Sequence, residues 1–143
     1  MNAPAGPEAL LSDLDPSALA GVVFVGGEGA AIYWDDPRAH GLARKTLDAG
    51  GVAAAICLGV GTLARAGLLR EKRAAGHPRA AAALAEGGAF ATGEPVEIDG
   101  RVVTGRDPAA ASEFADTLVR VLRLSTARER DGESGRKSLG ARS

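Results

Sequence analysis

Hydrophobic and polar positions along this chain alternate between two patterns. Short continuous apolar runs are closed by glycine, and longer stretches carry apolar residues at helical spacing. Residues 22–25 (VVFV) are rich in β-branched residues and stop at Gly26 and Gly27, as a buried strand ended by a turn does. Pro37 suits the first turn of a helix capped by Asp35 or Asp36. Leu42, Ala43 and Leu47 form its apolar side, and Gly50 and Gly51 close it. Residues 52–56 are again continuously apolar, which predicts a strand covered on both faces. A helix over 62–69 follows, with Leu63, Ala66 and Gly67 at helical spacing, and closes in the basic residues 70–73. Strand, helix, strand, helix predicts an α/β fold with a parallel sheet of βαβ crossovers.

Beyond Gly76 the pattern changes. Pro78 starts a helix through Leu84 that Gly87 and Gly88 end. Residues 96–98, the dipeptide Asp99-Gly100 and residues 101–104 predict a β-hairpin, because Asp-Gly favours the tight primed turns. Pro108 opens a last helix with Ala111, Phe114, Leu118, Val121 and Leu122 on one face. Residues 125–143 are nearly devoid of apolar side chains and are expected to be a disordered tail. The expected organisation is an N-terminal segment (1–16), one α/β domain (17–124) and that tail.

Composition narrows the function classes. The 143 residues suit one domain, large enough to bury roughly 70% of the surface of its unfolded chain. A net charge of −1 offers no basic patch for nucleic acid. No apolar run approaches the ~20 residues needed to cross a bilayer, and the N-terminus lacks the basic start and apolar stretch of a signal peptide. The single cysteine excludes an internal disulfide and a thiolate metal cluster, so a reducing cytoplasm is expected, with no metal and no cofactor. GGEGAA lacks the dinucleotide fingerprint, and no Walker lysine pattern occurs. With 3% aromatics, the core must be filled by Ala, Val and Leu.

The densest local signal is VAAAICLGVG, residues 52–61, where Cys57 meets a strand-to-helix turn. One reading is a nucleophile at the carboxyl end of a parallel sheet, its thiol pKa lowered by the following helix N-terminus. The other is packing, since unpaired cysteine is among the most buried residue types. Residue chemistry alone leaves both open.

Four blocks in order, VVFVGGEGA, AAICLGVGTLARAGLL, GHP and VEIDGRVVTGRDPAAASEFA, resemble the ThiJ/PfpI (DJ-one/PfpI) superfamily of glutamine amidotransferase-like folds over residues 17–122. The resemblance implies a three-layer, flavodoxin-like parallel sheet with an appended β-hairpin. It makes Cys57 the reactive elbow residue, the backbone N–H groups of Gly27 and Leu58 the oxyanion donors, and His77 a proton acceptor for the thiol. Arg106 matches a family arginine near the site or a dimer contact, and Glu28 is the carboxylate beside the turn. His40 is expected to be an exposed helical histidine.

The implied activity is that of a cysteine-dependent hydrolase or a glyoxalase- or deglycase-like enzyme on small carbonyl, amide or peptide substrates. The alternative is a non-catalytic or redox-responsive stress protein, or an inactive truncated homologue. Two departures bear on the choice. Leu58 stands where the protease-like branch has histidine, and no residue matches the glutamate that the family's leading strand-helix-strand segment supplies. That leading segment would pair with strand 22–25, so the resemblance also implies an open apolar edge there. Residues 7–19, a second copy of the chain or a separate partner would cover it.

Overall fold

The computed structural model describes residues 20–26 and 32–139, with side chains as far as Ser125. The expected N-terminal segment, Gly27 and Glu28 therefore lie outside the described residues. The elements are β1 (Gly21–Gly26), α1 (Pro37–Asp48), β2 (Val52–Cys57), α2 (Val60–Arg65), β3 (Arg73–Ala74), a 3-10 turn (Pro78–Ala80), α3 (Ala81–Glu86) and β4 (Phe90–Ala91). There follow β5 (Val96–Asp99), β6 (Val102–Gly105), a second 3-10 turn (Pro108–Ala110) and α4 (Ala111–Leu139).

The main sheet has the order β1-β2-β6-β5. β1, β2 and β6 run parallel, and β5 is antiparallel to β6. β2 is buried along its whole length because its alternate side chains enter two cores. Ala53 and Ala55 join the cluster under α1, α2 and α3 with Ala43, Leu63, Leu69 and Leu84. Val52, Ala54 and Ile56 join the cluster under α4 with Val103, Phe114 and Val121. Small side chains on the central strand let the helices lie close on both faces.

The helix starts follow their caps. The Asp36 carboxylate accepts the Arg38 N–H at 2.9 Å with Pro37 in the first turn, and Asp107 accepts the Ala110 N–H at 3.1 Å ahead of α4. Asp35 is not the cap. Its carboxylate instead pairs with Arg65 at 2.9 Å.

Several expectations are corrected. The hairpin is not an appendage: β6 is the third strand of the parallel sheet, and every one of its residues is buried. β1 is only half covered, with Val22 and Phe24 packed beneath α1 but Val23 and Val25 39% and 75% exposed on the opposite face. Among the described residues β1 pairs only with β2. The second helix is confined to Val60–Arg65, and the basic stretch after it leads into β3, whose two-residue parallel ladder with β4 has no periodicity to betray it.

α4 continues to Leu139, through residues expected to lack structure. Ser125 is already buried, its hydroxyl donating to the Gly50 carbonyl at 2.7 Å. A helix so anchored extends at lower cost per residue than a free segment pays to nucleate.

Candidate active site

β2 ends in a residue with a left-handed backbone, Cys57 at φ 59°. That region is sterically disfavoured for a non-glycine residue and is held only where the surroundings enforce it. Here the enforcing contacts are the β1 pairing, which reaches Gly26 opposite Cys57, and three turn bonds. Gly59 N–H donates to Ile56 O at 3.0 Å, Gly61 N–H to Leu58 O at 3.1 Å and Thr62 N–H to Gly59 O at 3.1 Å. The chain leaves the strand, reverses, and enters α2 within three residues.

Two glycines admit the turn's neighbours. A methyl on Gly59 would collide with the carbonyl of Phe24 in β1, and one on Gly61 would overlap the Trp34 indole. Trp34 Nε1 in turn donates to the Leu58 carbonyl at 2.7 Å. The Trp34 carbonyl accepts from His40 Nε2 at 2.6 Å, and a carbonyl partner requires the proton to sit on Nε2. His40 is therefore a part-buried brace behind the turn, not the exposed helical residue expected. Arg65 stacks 5.7 Å above the Trp34 ring while its guanidinium meets Asp35.

The thiol's surroundings reverse one expectation. Cys57 is 8% exposed and packs in the apolar cluster with Ile56, Val103 and Phe114. Burial pushes its pKa up, and the Asp107 carboxylate pushes it further the same way. The following helix was expected to lower it. α2 is only six residues long, so its dipole is short and is outweighed by desolvation.

His77 lies just past β3, beyond the peptide at Ala75 whose N–H donates to the buried Thr104 hydroxyl at 2.9 Å. The neighbouring Gly76 sits against Val60 of α2 and Leu84. The ring is not placed as a ready base, because its Nδ1 accepts the Arg79 N–H at 3.0 Å as the cap of the 3-10 turn. The neutral ring then carries its proton on Nε2.

Arg106 follows β6. Its Nε meets Asp107 Oδ2 at 2.9 Å, its Nη1 donates to Gly93 O at 2.7 Å and its backbone N–H donates to Pro95 O at 2.9 Å. Sequence reading missed that the Asp107 charge acts on the thiol. The signal was in TGRDP, but a cap before a proline explains the residue type equally well.

Elsewhere, a groove of about 860 Å³ between β5 and α4 is lined by charges of both signs, among them Arg73, Glu97, Glu113 and Arg120, and contains none of the candidate residues. Among the described residues no group of three or more His, Cys, Asp or Glu could hold a metal ion, and no helix is long and apolar enough to cross a membrane.

Comparison with known proteins supplies the family. The model of the DJ-1/PfpI family matches residues 4–121. The chain belongs to the DJ-1/PfpI family.

Relatives agree with that membership. An uncharacterized protein of Methanocaldococcus jannaschii is 31% identical over 118 residues, covering 80% of this chain and 58% of that protein. A glutathione-independent glyoxalase of Caenorhabditis elegans is 29% identical over 116 residues, covering 81% of this chain and 62% of the enzyme. A ThiJ/PfpI domain protein from Brachyspira murdochii superposes with a TM-score of 0.77 at 34% identity, over 80% of this chain and 66% of that one. The chain thus spans about 60% of the length of those two sequence relatives. The DJ-1/PfpI match contains the elbow, the GHP block and the Arg106-Asp107 turn.

Proposed function

We propose that this DJ-1/PfpI chain carries cysteine-dependent chemistry on small carbonyl compounds, of the glyoxalase type. The observation that carries the reading is the left-handed Cys57 at the end of the central strand. A strained non-glycine residue at a strand-to-helix turn is a recurrent way of presenting a nucleophile. The named activity of the nematode relative adds a chemical constraint. A glyoxalase that works without glutathione has no cofactor thiol to add to the aldehyde, and Cys57, the only cysteine of this chain, is the group here that could take that part.

In this reading the Cys57 sulfur adds to the aldehyde carbon of a 2-oxoaldehyde, the carbonyl π pair moves to oxygen, and the thiol proton ends there. The hydrogen on that carbon then passes as a proton to the neighbouring carbon through an enediol, leaving a thioester. Water releases the 2-hydroxy acid and restores the thiol. No external oxidant is required. The Leu58 N–H serves the developing oxyanion, with Gly27 as the second donor and Glu28 as a supporting carboxylate on the strength of the resemblance. His77, with Nδ1 engaged, serves as a donor through Nε2–H and not as the base first expected.

The raised thiol pKa and the burial of Cys57 favour a second reading, an elbow retained without turnover. Conversion of methylglyoxal to lactate by the parent and by Cys57→Ala separates the two. Turnover that vanishes in Cys57→Ala supports the enzyme. Turnover equal in both, or absent from both, rejects it.

A further inference from the structure

The turn after β6 brings a carboxylate to the same end of the sheet as the thiol. Ile56 and Gly105 stand abreast in the parallel β2–β6 register, so the chain leaves the two neighbouring strands at the same end of the sheet, through Cys57 on one and Arg106 on the other. Gly105 makes the close approach possible, since a methyl there would press on Ile56 and on the Phe114 ring. Asp107 is held at both oxygens: Oδ1 accepts the Ala110 N–H at 3.1 Å and Oδ2 accepts Arg106 Nε at 2.9 Å. Arg106 itself is tied to the Gly93 carbonyl.

We propose that Asp107, steered by Arg106, is a positioning residue for Cys57, its fixed negative charge governing how readily the thiol gives up its proton and which reagents approach it. This rests on the reading of Cys57 as the reactive thiol and deepens it. Among the described residues, the apolar cluster that holds Cys57 includes Ile56 from β2, Val103 from β6 and Phe114 from α4. Glu113 and Asp116 of α4 line the separate groove beside β5. Through such an apolar layer a fixed charge is screened less than it is in water, and its effect adds to that of burial. The carboxylate also occupies the α4 entrance, whose free N–H groups would otherwise favour an anion there. The substrate class that follows is an uncharged carbonyl compound, in preference to one bearing its own carboxylate.

The test uses the full chain and Asp107→Asn, whose side-chain oxygen still caps Ala110, so that charge is removed without the cap. The rate of Cys57 alkylation is followed from pH 6 to 11 with neutral iodoacetamide and with anionic iodoacetate. In the variant the midpoint should fall, and the neutral-pH rate with iodoacetamide should rise about three- to tenfold, one pKa unit being tenfold in thiolate. Iodoacetate should gain more than iodoacetamide. Arg106→Gln, which leaves the cap alone, should move the midpoint the other way. Profiles that superimpose on the parent, or a midpoint that rises in Asp107→Asn, overturn the proposal. Should the asparagine variant not fold, the sign of the Arg106→Gln shift decides. Because alkylation reads ionisation and not turnover, lack of methylglyoxal conversion would reject the enzymatic reading while leaving this result standing.

Discussion

The indole N–H of Trp34 and the carbonyl oxygen of Leu58 form a 2.7 Å hydrogen bond across the back of the Cys57 turn. One residue of the elbow is thereby tied to the segment before α1, and the ring covers Gly61. Trp34→Phe keeps most of the ring but removes the donor, leaving a part-buried carbonyl without it. The expected cost is about 1 kcal/mol of stability, read by urea denaturation. Cys57 should alkylate faster at fixed pH as the turn loosens and its thiol becomes more exposed. An unchanged denaturation midpoint would show that the bond does not hold the elbow.

Gly59 has no such latitude. A methyl there meets the backbone carbonyl of Phe24, which cannot swing away as a side chain would. Gly59→Ala should therefore cost about 3 kcal/mol, at the upper end of overpacking, whereas Gly41→Ala, where a methyl meets nothing within 4 Å, should be neutral or stabilising. Thermal melts of the two variants give the contrast directly, and equal melting temperatures would contradict the close approach of β1 to the elbow.

The thiol predicts a pH signature of definite sign. Its folded pKa is raised by burial first and by Asp107 second, so folding favours the protonated form. The associated stability is full below the unfolded thiol pKa and is lost as pH rises through the folded value. Above the ordinary thiol range the parent should lose stability more steeply than Cys57→Ala. At neutral pH the parent should alkylate more slowly than free cysteine. Faster alkylation would mean that the turn stabilises the thiolate after all.

Asp36 works in the opposite direction. Its carboxyl lies below the ordinary range, chiefly through the Arg38 side chain and then through the Arg38 N–H. Its contribution is present above the unfolded carboxyl pKa and is lost as pH falls through the folded value. Asp36→Ala should cost about 1 kcal/mol at neutral pH through the lost cap. Asp36→Asn should retain most of the capping but remove its part of the acid dependence, as urea melts at pH 3 and pH 7 would show.

Much of this protein was determined locally. The continuous run 52–56, the Asp-Pro starts of α1 and α4, and the position of Cys57 at a strand end are all readable because strand length, capping and turn chemistry act over a few residues. Family membership was legible for the same reason, carried by short blocks around those turns. What the tertiary structure decided depends on groups brought together from distant parts of the chain. Nothing near Val102 states that β6 will insert beside β2, 49 residues away in register, and no pattern around Trp34 announces that its indole will brace Leu58. The direction of the Cys57 pKa belongs to this second class. A strand-to-helix turn predicts a lowered value, but the outcome rests on a six-residue helix set against a buried apolar cluster and a carboxylate delivered by β6. Desolvation and through-space charge depend on distances that only the folded chain supplies.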